Sequence, residues 1–288
     1  MTGPQELGAG SETDELEPAL ELAELARLLR AQLEWQQVTG TVGLPHAEAP
    51  AEAAAVVTRE APPRVPAPSQ VALAAPPQVT VAAPISVPAG PAVGDPAERS
   101  QRLVVLENAV RGCTACSLHR GRTQTVFARG TGSSGLCFVG EGPGMDEDAQ
   151  GYPFVGAAGQ LLDRMIAAMG LSRDEVYVCN IVKCRPPNNR KPEPDEMAAC
   201  SPYLAEQLEL VAPQVIVALG ATAVQGLLGT TEGITRLRGT WKLYQSRIPV
   251  MPTFHPAYLL RTPGAKREVW ADLQAVLQQM GRQVPRPR

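Results

Sequence analysis

The residues best suited to chemistry in this 288-residue chain include the segment 137–156, CFVGEGPGMDEDAQGYPFVG. A short apolar run passes into closely spaced glycines, then a group of acids, then an aromatic side chain at Phe154. Glycine lets a backbone approach a ligand closely. Acids can place water or stabilise a cation, and a flat ring can stack on a flat ligand. GEGPG by itself is a generic glycine-rich loop, such as a phosphate cradle, so this segment alone does not identify its ligand.

Cysteine spacing is a second chemical signal. Cys113 and Cys116 form a C-x2-C pair, Cys184 follows a predicted strand, and Cys200 lies in a predicted helix. Two ligands close together and two distant ones are typical of a tetrathiolate site for zinc or for an iron–sulfur cluster, and spacing alone does not separate them. The remaining pair, Cys137 and Cys179, lies within apolar runs and is expected to pack as small buried side chains.

The elements that must position these residues alternate in type from about residue 97 to 288. Apolar, β-branched runs predict strands at LCFVGEG, EVYVCNIVKC, VIVALG and RIPVMPTFHP, and helical patterns cover 159–170, 194–211, 221–229 and about 266–281. This alternation predicts an α/β fold with a central, mostly parallel four-stranded sheet and helices on both faces. Ligands in such folds bind beyond the carboxyl ends of the strands. The segments GEGPG, CNIVKC, GATA and FHPAYLLR fall there.

Residues 1–96 differ from this domain in composition. Leucines at spacings of three and four predict an amphipathic helix within 13–36. This helix could dock on its own domain or bind a protein partner, and the alternative is that the segment forms no stable structure. From 45 to 96 the chain is rich in alanine and proline, which predicts a disordered linker. Residues 1–95 carry 4 Lys/Arg and 12 Asp/Glu, a net charge of −8, against 22 and 17, a net +5, in the remainder. The +5 permits contact with phosphates but does not establish it.

The sequence contains neither an apolar run of about 20 residues nor a basic stretch preceding an apolar one at MTGPQELGAG. We therefore expect a cytoplasmic protein without a membrane span. Separately, we expect the protein to be a monomer.

Four motifs in one order resemble the family 4 uracil-DNA glycosylases: the cysteine pattern, GEGPG followed by PFVG, NIVKCRPPNNR, and FHPAYLLR, across residues 110 to about 279. The resemblance implies a uracil-DNA glycosylase-like fold. It also implies a hydrolase that cuts the bond between uracil and deoxyribose in DNA, leaving an abasic site and initiating base excision repair. The resemblance also implies that the four cysteines hold a [4Fe-4S] cluster rather than zinc. The ligands would be Cys113, Cys116, Cys184 and Cys200.

Three side chains acquire roles from this resemblance. Phe154 is expected to stack under a uracil flipped out of the helix. Asn180 is expected to accept from uracil N3–H and donate to O4, a pattern that cytosine reverses. His255 is expected to donate to O2 as negative charge develops on the departing base. Ordinary structural roles, namely a core phenylalanine, a turn-capping asparagine and a satisfied histidine, are the alternatives.

Further positions are assigned by the same resemblance. The glycines Gly140, Gly142 and Gly144 would let the backbone approach base and sugar, and Asn189 is a polar position of unassigned role. Glu141 and Glu147 would line the pocket as the candidate catalytic acids that place water and stabilise the cationic sugar, with the division of these tasks left open. Glu147 is also a candidate for blocking the 5-methyl group of thymine, while Asp146 and Asp148 are expected to be solvated. Contacts to DNA are expected from Lys183, Arg185, Arg190, Lys191 and Arg261, and from Leu259 and Leu260 as wedges.

Two other functions stay open at this stage. A related branch that becomes covalently trapped on abasic sites carries a basic, histidine-containing loop, whereas the corresponding GTTEGITRLRGTWKLYQ has no histidine. A non-catalytic DNA-binding module with a metal cluster would keep the cysteines but would need neither Asn180 nor His255.

Overall fold

A computed structural model describes residues 95–285 of the chain. The predicted helix within 13–36 and nearly all of the predicted linker lie outside the described residues. Within 95–285, no helix combines the length and apolar character needed to cross a bilayer.

The sheet is formed from segments that are rich in valine, isoleucine and leucine. Its strands are β1 (Leu136–Gly140), β2 (Tyr177–Asn180), β3 (Val215–Leu219), β4 (Lys242–Tyr244) and β5 (Ile248–Thr253), in the spatial order β2-β1-β3-β5-β4. The first, second, third and fifth strands run parallel, as predicted. The sheet has one strand more than predicted, because β4 adds to β5 as an antiparallel edge. Its three residues are too few to carry a recognisable alternation.

The helices include the four that the sequence predicts, here α3, α4, α5 and α8. In chain order the helices are α1 (Pro96–Arg111), α2 (Met145–Gln150), α3 (Ala157–Ala168), α4 (Pro194–Val211), α5 (Ala221–Leu228), α6 (Ile234–Leu237), α7 (Pro256–Arg261) and α8 (Lys266–Gln279). The helix α1 was not predicted. Its apolar residues do not form one stripe, since Val104 and Val105 are exposed while Leu106 and Val110 are buried.

Alternating strand residues build a core on each face of the sheet. Leu136 and Phe138 pack with residues of α3 and α8, whereas Cys137 and Val139 pack with residues of α4 and α5. This confirms the prediction of helices on both faces. Cys137 and Cys179 are fully buried among apolar neighbours, as expected.

A buried acid joins α8 to the end of β5. The Thr253 hydroxyl donates to Asp272 Oδ2 at 2.6 Å, and Arg238 Nη2 donates to Asp272 Oδ1 at 2.7 Å. Burial raises the pKa of Asp272 to about 6, although the hydrogen bond from Thr253 and the charge of Arg238 oppose that rise. The network fixes the strand end two residues before His255.

Candidate active site

A cavity of about 660 Å³ opens beyond the carboxyl ends of β1 and β2 and beside the start of α7. This is the edge of the sheet at which the sequence predicted ligand binding. Its lining includes ten predicted site residues: Glu141, Gly142, Gly144, Glu147, Phe154, Asn180, Asn189, Arg190, His255 and Arg261.

Gly140 brings two of these side chains together. It is paired with Asn180 across the ends of β1 and β2. A Cβ atom on Gly140 would overlap Asn180 Oδ1 and would come within 2.5 Å of Phe154 Cζ. Because such contacts are far below van der Waals distance, only glycine fits between the amide and the ring. The glycine thus makes room for side chains, in addition to the backbone approach that the sequence suggested.

Phe154 has an unusual backbone conformation. Its φ of 57° lies in the left-handed region, which aromatic residues rarely adopt, and its side chain is buried at 6% exposure. The ring lies 5.6 Å from that of His255, centroid to centroid, at an interplanar angle of 31°. Strained backbone of this kind persists only where the surrounding structure holds it.

Glu147 provides that hold. Its Oε2 accepts from the backbone N–H of Gly144 at 3.0 Å, and its Oε1 accepts from Val155 and Gly156 at 2.9 and 3.0 Å. The carboxylate therefore ties the loop before α2 to the loop that carries Phe154. Glu141 differs, because its side chain lines the cavity without a hydrogen-bond partner among the described residues.

Asn180 is almost completely buried, at 1% exposure, at the end of β2. Its Oδ1 is inaccessible to solvent and has no hydrogen-bond partner within the described part of the chain. An unpaired buried acceptor costs about 1–3 kcal/mol. The cost is offset if a ligand in the cavity donates to this oxygen.

His255 is the residue immediately before α7, which Pro256 begins. The backbone N–H of Ala257 donates to His255 Nδ1 at 3.1 Å. Since Nδ1 accepts, the proton of the neutral ring lies on Nε2. Burial, followed by the charge of Arg261, lowers the pKa of His255 to about 4, against the opposing charge of Glu147. The ring is therefore a neutral N–H donor at physiological pH.

The expectation for the two loop aspartates is half correct. Asp146 is exposed, as predicted. Asp148 is buried at 3% exposure and accepts from the backbone N–H groups of Thr123 and Gln124, so the prediction that it is solvated was wrong. Its carboxylate accepts these hydrogen bonds from the loop between the cysteine segment and β1, and so holds that loop in place.

Two predicted DNA contacts are corrected because their side chains are buried. Lys183 is 1% exposed, with its ammonium enclosed between β2 and α4, and Leu259 is 1% exposed in the core. Leu260 and Arg261 are exposed at the end of α7. Within α7, the side chain of Leu259 faces the core, whereas those of its neighbours Tyr258 and Leu260 face solvent.

The other predicted cations form an ordered loop. Arg185 Nε donates to Asn189 Oδ1 at 2.8 Å. Arg190 lies at the cavity rim, with both terminal nitrogens on Glu196 at 2.8 and 2.7 Å. The hydrogen bond from Arg190 lowers the pKa of Glu196 to about 2. Lys191 is exposed and donates to Gln225.

Two exposed side chains at the cavity received no individual role from the sequence. Met145 and Tyr258 are both exposed and both line the cavity. Tyr258 begins the YLLR end of the FHPAYLLR motif, which as a segment was expected to contact DNA, and its place three residues after His255 was the signal for a role of its own. Met145 carried no such signal, because an isolated methionine at the start of a short helix fits many structural roles.

The four cysteines predicted as ligands line one cavity on the α4 side of the sheet. Cys113, Cys116, Cys184 and Cys200 are free thiols there. Arg122 Nη1 donates to Cys184 Sγ at 3.1 Å, and Ala115 N donates to Cys113 Sγ at 3.5 Å. Burial raises the pKa of Cys200 to about 11, opposed by Lys183. Donors aimed at sulfur suit thiolates that ligate a metal group.

Within 95–285, no three or more His, Cys, Asp or Glu side chains are grouped closely enough to hold a metal ion. The chemistry of four thiols around one cavity fits either zinc or an iron–sulfur cluster. The family resemblance, and not the arrangement of the thiols, favours the cluster.

Comparison with known proteins agrees with this geometry. Residues 127–274 match the uracil DNA glycosylase superfamily. The type-4 uracil-DNA glycosylase of Thermotoga maritima is 48% identical over 164 residues, which are 57% of this chain and 85% of the relative. Those of Saccharolobus solfataricus and Archaeoglobus fulgidus are 42% and 40% identical, over 60% and 61% of this chain and 84% and 92% of theirs. The chain therefore belongs to the uracil DNA glycosylase superfamily and, within it, to the type-4 uracil-DNA glycosylases.

Proposed function

We propose that this protein hydrolyses the N-glycosidic bond between uracil and deoxyribose in DNA, releasing uracil and leaving an abasic site for base excision repair. The observation that carries the proposal is the unpaired, buried Oδ1 of Asn180, which lines the same cavity as Phe154 and His255. The protein acts as a monomer in this proposal.

Asn180 reads the base in this proposal. Its Oδ1 accepts from uracil N3–H and its Nδ2 donates to O4. Cytosine carries no proton on N3 and presents an amine in place of O4, so it leaves both groups of a fixed amide unpaired. Phe154 stacks on the flipped base and offsets part of the few kcal/mol lost in unstacking and unpairing.

His255 stabilises the departing base. Bond cleavage leaves negative charge on uracil, mainly at O2, and Nε2–H of the neutral ring donates to that oxygen. The Ala257 N–H on Nδ1 fixes the tautomer before substrate arrives, so no reorganisation is needed during the reaction.

The carboxylates divide two further tasks between them. Glu141 faces the cavity and stabilises the cationic sugar while placing the attacking water. Glu147 holds the two pocket loops in position through its three backbone hydrogen bonds. Its place in the cavity lining also suits the exclusion of the thymine 5-methyl group.

In this proposal DNA contacts the basic side chains around the cavity. The exposed Lys191 and Arg261 and the half-buried Arg185 bind phosphates, and Arg190 contributes while paired with Glu196. Leu260, which is exposed near the end of α7, fills the gap left by the flipped base.

A [4Fe-4S] cluster is proposed at Cys113, Cys116, Cys184 and Cys200. When bound, it cross-links the segment after α1, the loop after β2 and α4. Arg122 and the backbone N–H of Ala115 donate to the ligand sulfurs. The residues around the cluster thereby hold the loop that carries Arg185 and Asn189.

The decisive experiment is a uracil-release assay on single-stranded DNA containing one uracil. We expect free uracil and an abasic site that alkali cleaves, with no release from the matched thymine strand. A stable protein–DNA adduct would instead indicate the trapped branch, and binding without release would indicate a non-catalytic module.

The cluster has its own test. A [4Fe-4S] cluster gives broad visible absorption at about 400 nm. Substituting Cys200→Ala should remove this absorption. A colourless protein with one zinc and full activity would contradict the cluster.

A further inference from the structure

Lys183 is a buried cation whose partners are all neutral. Its Nζ donates to the backbone oxygen of Asn180 at 2.8 Å and to Gln207 Oε1 at 2.6 Å. The side chain of Gln207 is itself buried and donates to the hydroxyl of Tyr177 and the carbonyl of Phe127. Among the ion pairs of residues 95–285, none includes Lys183.

Such a placement is costly without a compensating negative charge. Removing an ammonium from water costs several kcal/mol even after the protein relaxes. The same lysine lines the cavity of the four cysteines and directly precedes Cys184. Ligand thiolates at this cavity would supply the missing negative charge.

We propose that Lys183 is the counter-charge of the cysteine-bound cluster and, through the same ammonium, a positioning residue for Asn180. The inference rests on the cluster given under the proposed function. Lys183 connects the two sites, since the residue lines the cysteine cavity and its ammonium donates to the backbone of Asn180, which lines the other cavity. Binding of the cluster thereby stabilises the lysine that fixes the end of β2.

The proposal predicts a change in the electrochemistry of the cluster. A nearby positive charge favours the more negative, reduced form. Replacing Lys183 by methionine, which is apolar and similar in length, should therefore make reduction harder. The backbone carbonyl of Asn180 also loses the hydrogen bond from Lys183. Uracil excision should therefore slow in the same variant.

The test uses the full chain with its cluster, purified anaerobically, and voltammetry of whichever one-electron couple is accessible. We expect Lys183→Met to lower the reduction equilibrium constant at least tenfold, which is about 59 mV for one electron, and to slow single-turnover uracil excision at least tenfold. The matched control is Arg120→Gln, which removes an exposed cation from the neighbouring turn and should leave the potential within about a third of that shift.

A second variant covers failure of Lys183→Met to fold. Gln207→Glu keeps the side-chain shape and places a carboxylate on the ammonium, so it should also shift the potential downward. An unchanged potential in the folded, cluster-bearing variant would overturn the inference. A parent protein without iron would overturn the proposed cluster instead, so the two failures are distinguishable.

Discussion

At the scale of single residues, the role proposed for the Asn180 amide in reading the base can be tested directly. Asn180→Asp keeps an acceptor but replaces the donor to O4 with a second oxygen. A lost hydrogen bond plus a buried repulsion costs about 3 kcal/mol, so uracil excision should fall on the order of a hundredfold. Single-turnover assays on matched uracil and cytosine oligonucleotides measure the change.

The control for that variant is Asn108→Asp, the same chemical change on the exposed surface of α1. It should leave excision unaltered. If Asn180→Asp stays within about twofold of the parent while keeping its cluster absorption, the amide does not read the base.

His255 gives a prediction on pH. Its pKa is about 4 in the folded protein and near 6.5 when unfolded. Between these values the unfolded chain binds more protons, so this contribution to stability is complete above about pH 6.5 and is lost as the pH falls towards 4. The shift corresponds to about 3 kcal/mol at most.

We therefore expect His255→Gln to lose less unfolding free energy than the parent between pH 7 and pH 4.5, measured by urea denaturation. An equal loss in both proteins would show that the ring is not held neutral by burial. In the parent, the pH dependence of the excision rate should show no ionisation of His255 between pH 5 and 8.

At the scale of elements, the sequence predicted the helices and strands that have a regular apolar pattern and missed those without one. The parallel strands and the helices α3, α4, α5 and α8 follow from apolar periodicity. The edge strand β4 is too short for a period, and α1 has apolar residues on several sides.

The candidate site divides in the same way. Motif residues such as Asn180 and His255 were found in advance, and the structure brings them to one cavity. Side-chain direction was not available from sequence. Lys183 and Leu259 were therefore taken for surface residues, because charge and loop position alone do not show that a side chain turns inward.

The loop tie made by Glu147 predicts a consequence for two elements at once. Glu147→Gln leaves one oxygen in place of two, so a backbone N–H of the two pocket loops loses its acceptor at about 1–3 kcal/mol. Because Phe154 depends on this tie, excision should fall on the order of tenfold.

The matched control is Glu98→Gln, an exposed acid on α1. Thermal unfolding and single-turnover excision should both change in the Glu147 variant, and neither should change in the control. A Glu147 variant that excises uracil as fast as the parent would show that the loops hold Phe154 without the carboxylate.

At the scale of the whole molecule, charge is divided between the two parts of the sequence. Residues 1–95 carry a net −8 and the remainder a net +5. DNA is a polyanion, so the acidic arm opposes an approach that the basic part favours, most strongly at low salt.

The last prediction concerns removal of that arm. A protein beginning at Asp95 should fold and excise uracil, because α1 begins at Pro96 and its Leu106 and Val110 pack against Leu210 of α4. Binding of single-stranded DNA, measured by fluorescence anisotropy, should tighten at about 50 mM salt and match the full chain at about 500 mM, where charges are screened beyond a few ångströms. A second truncation beginning at Gly112 is the control: it keeps every cysteine but removes α1, and should unfold at a lower temperature. Loss of folding or excision on removal of residues 1–94 alone would show that the arm belongs to the catalytic domain.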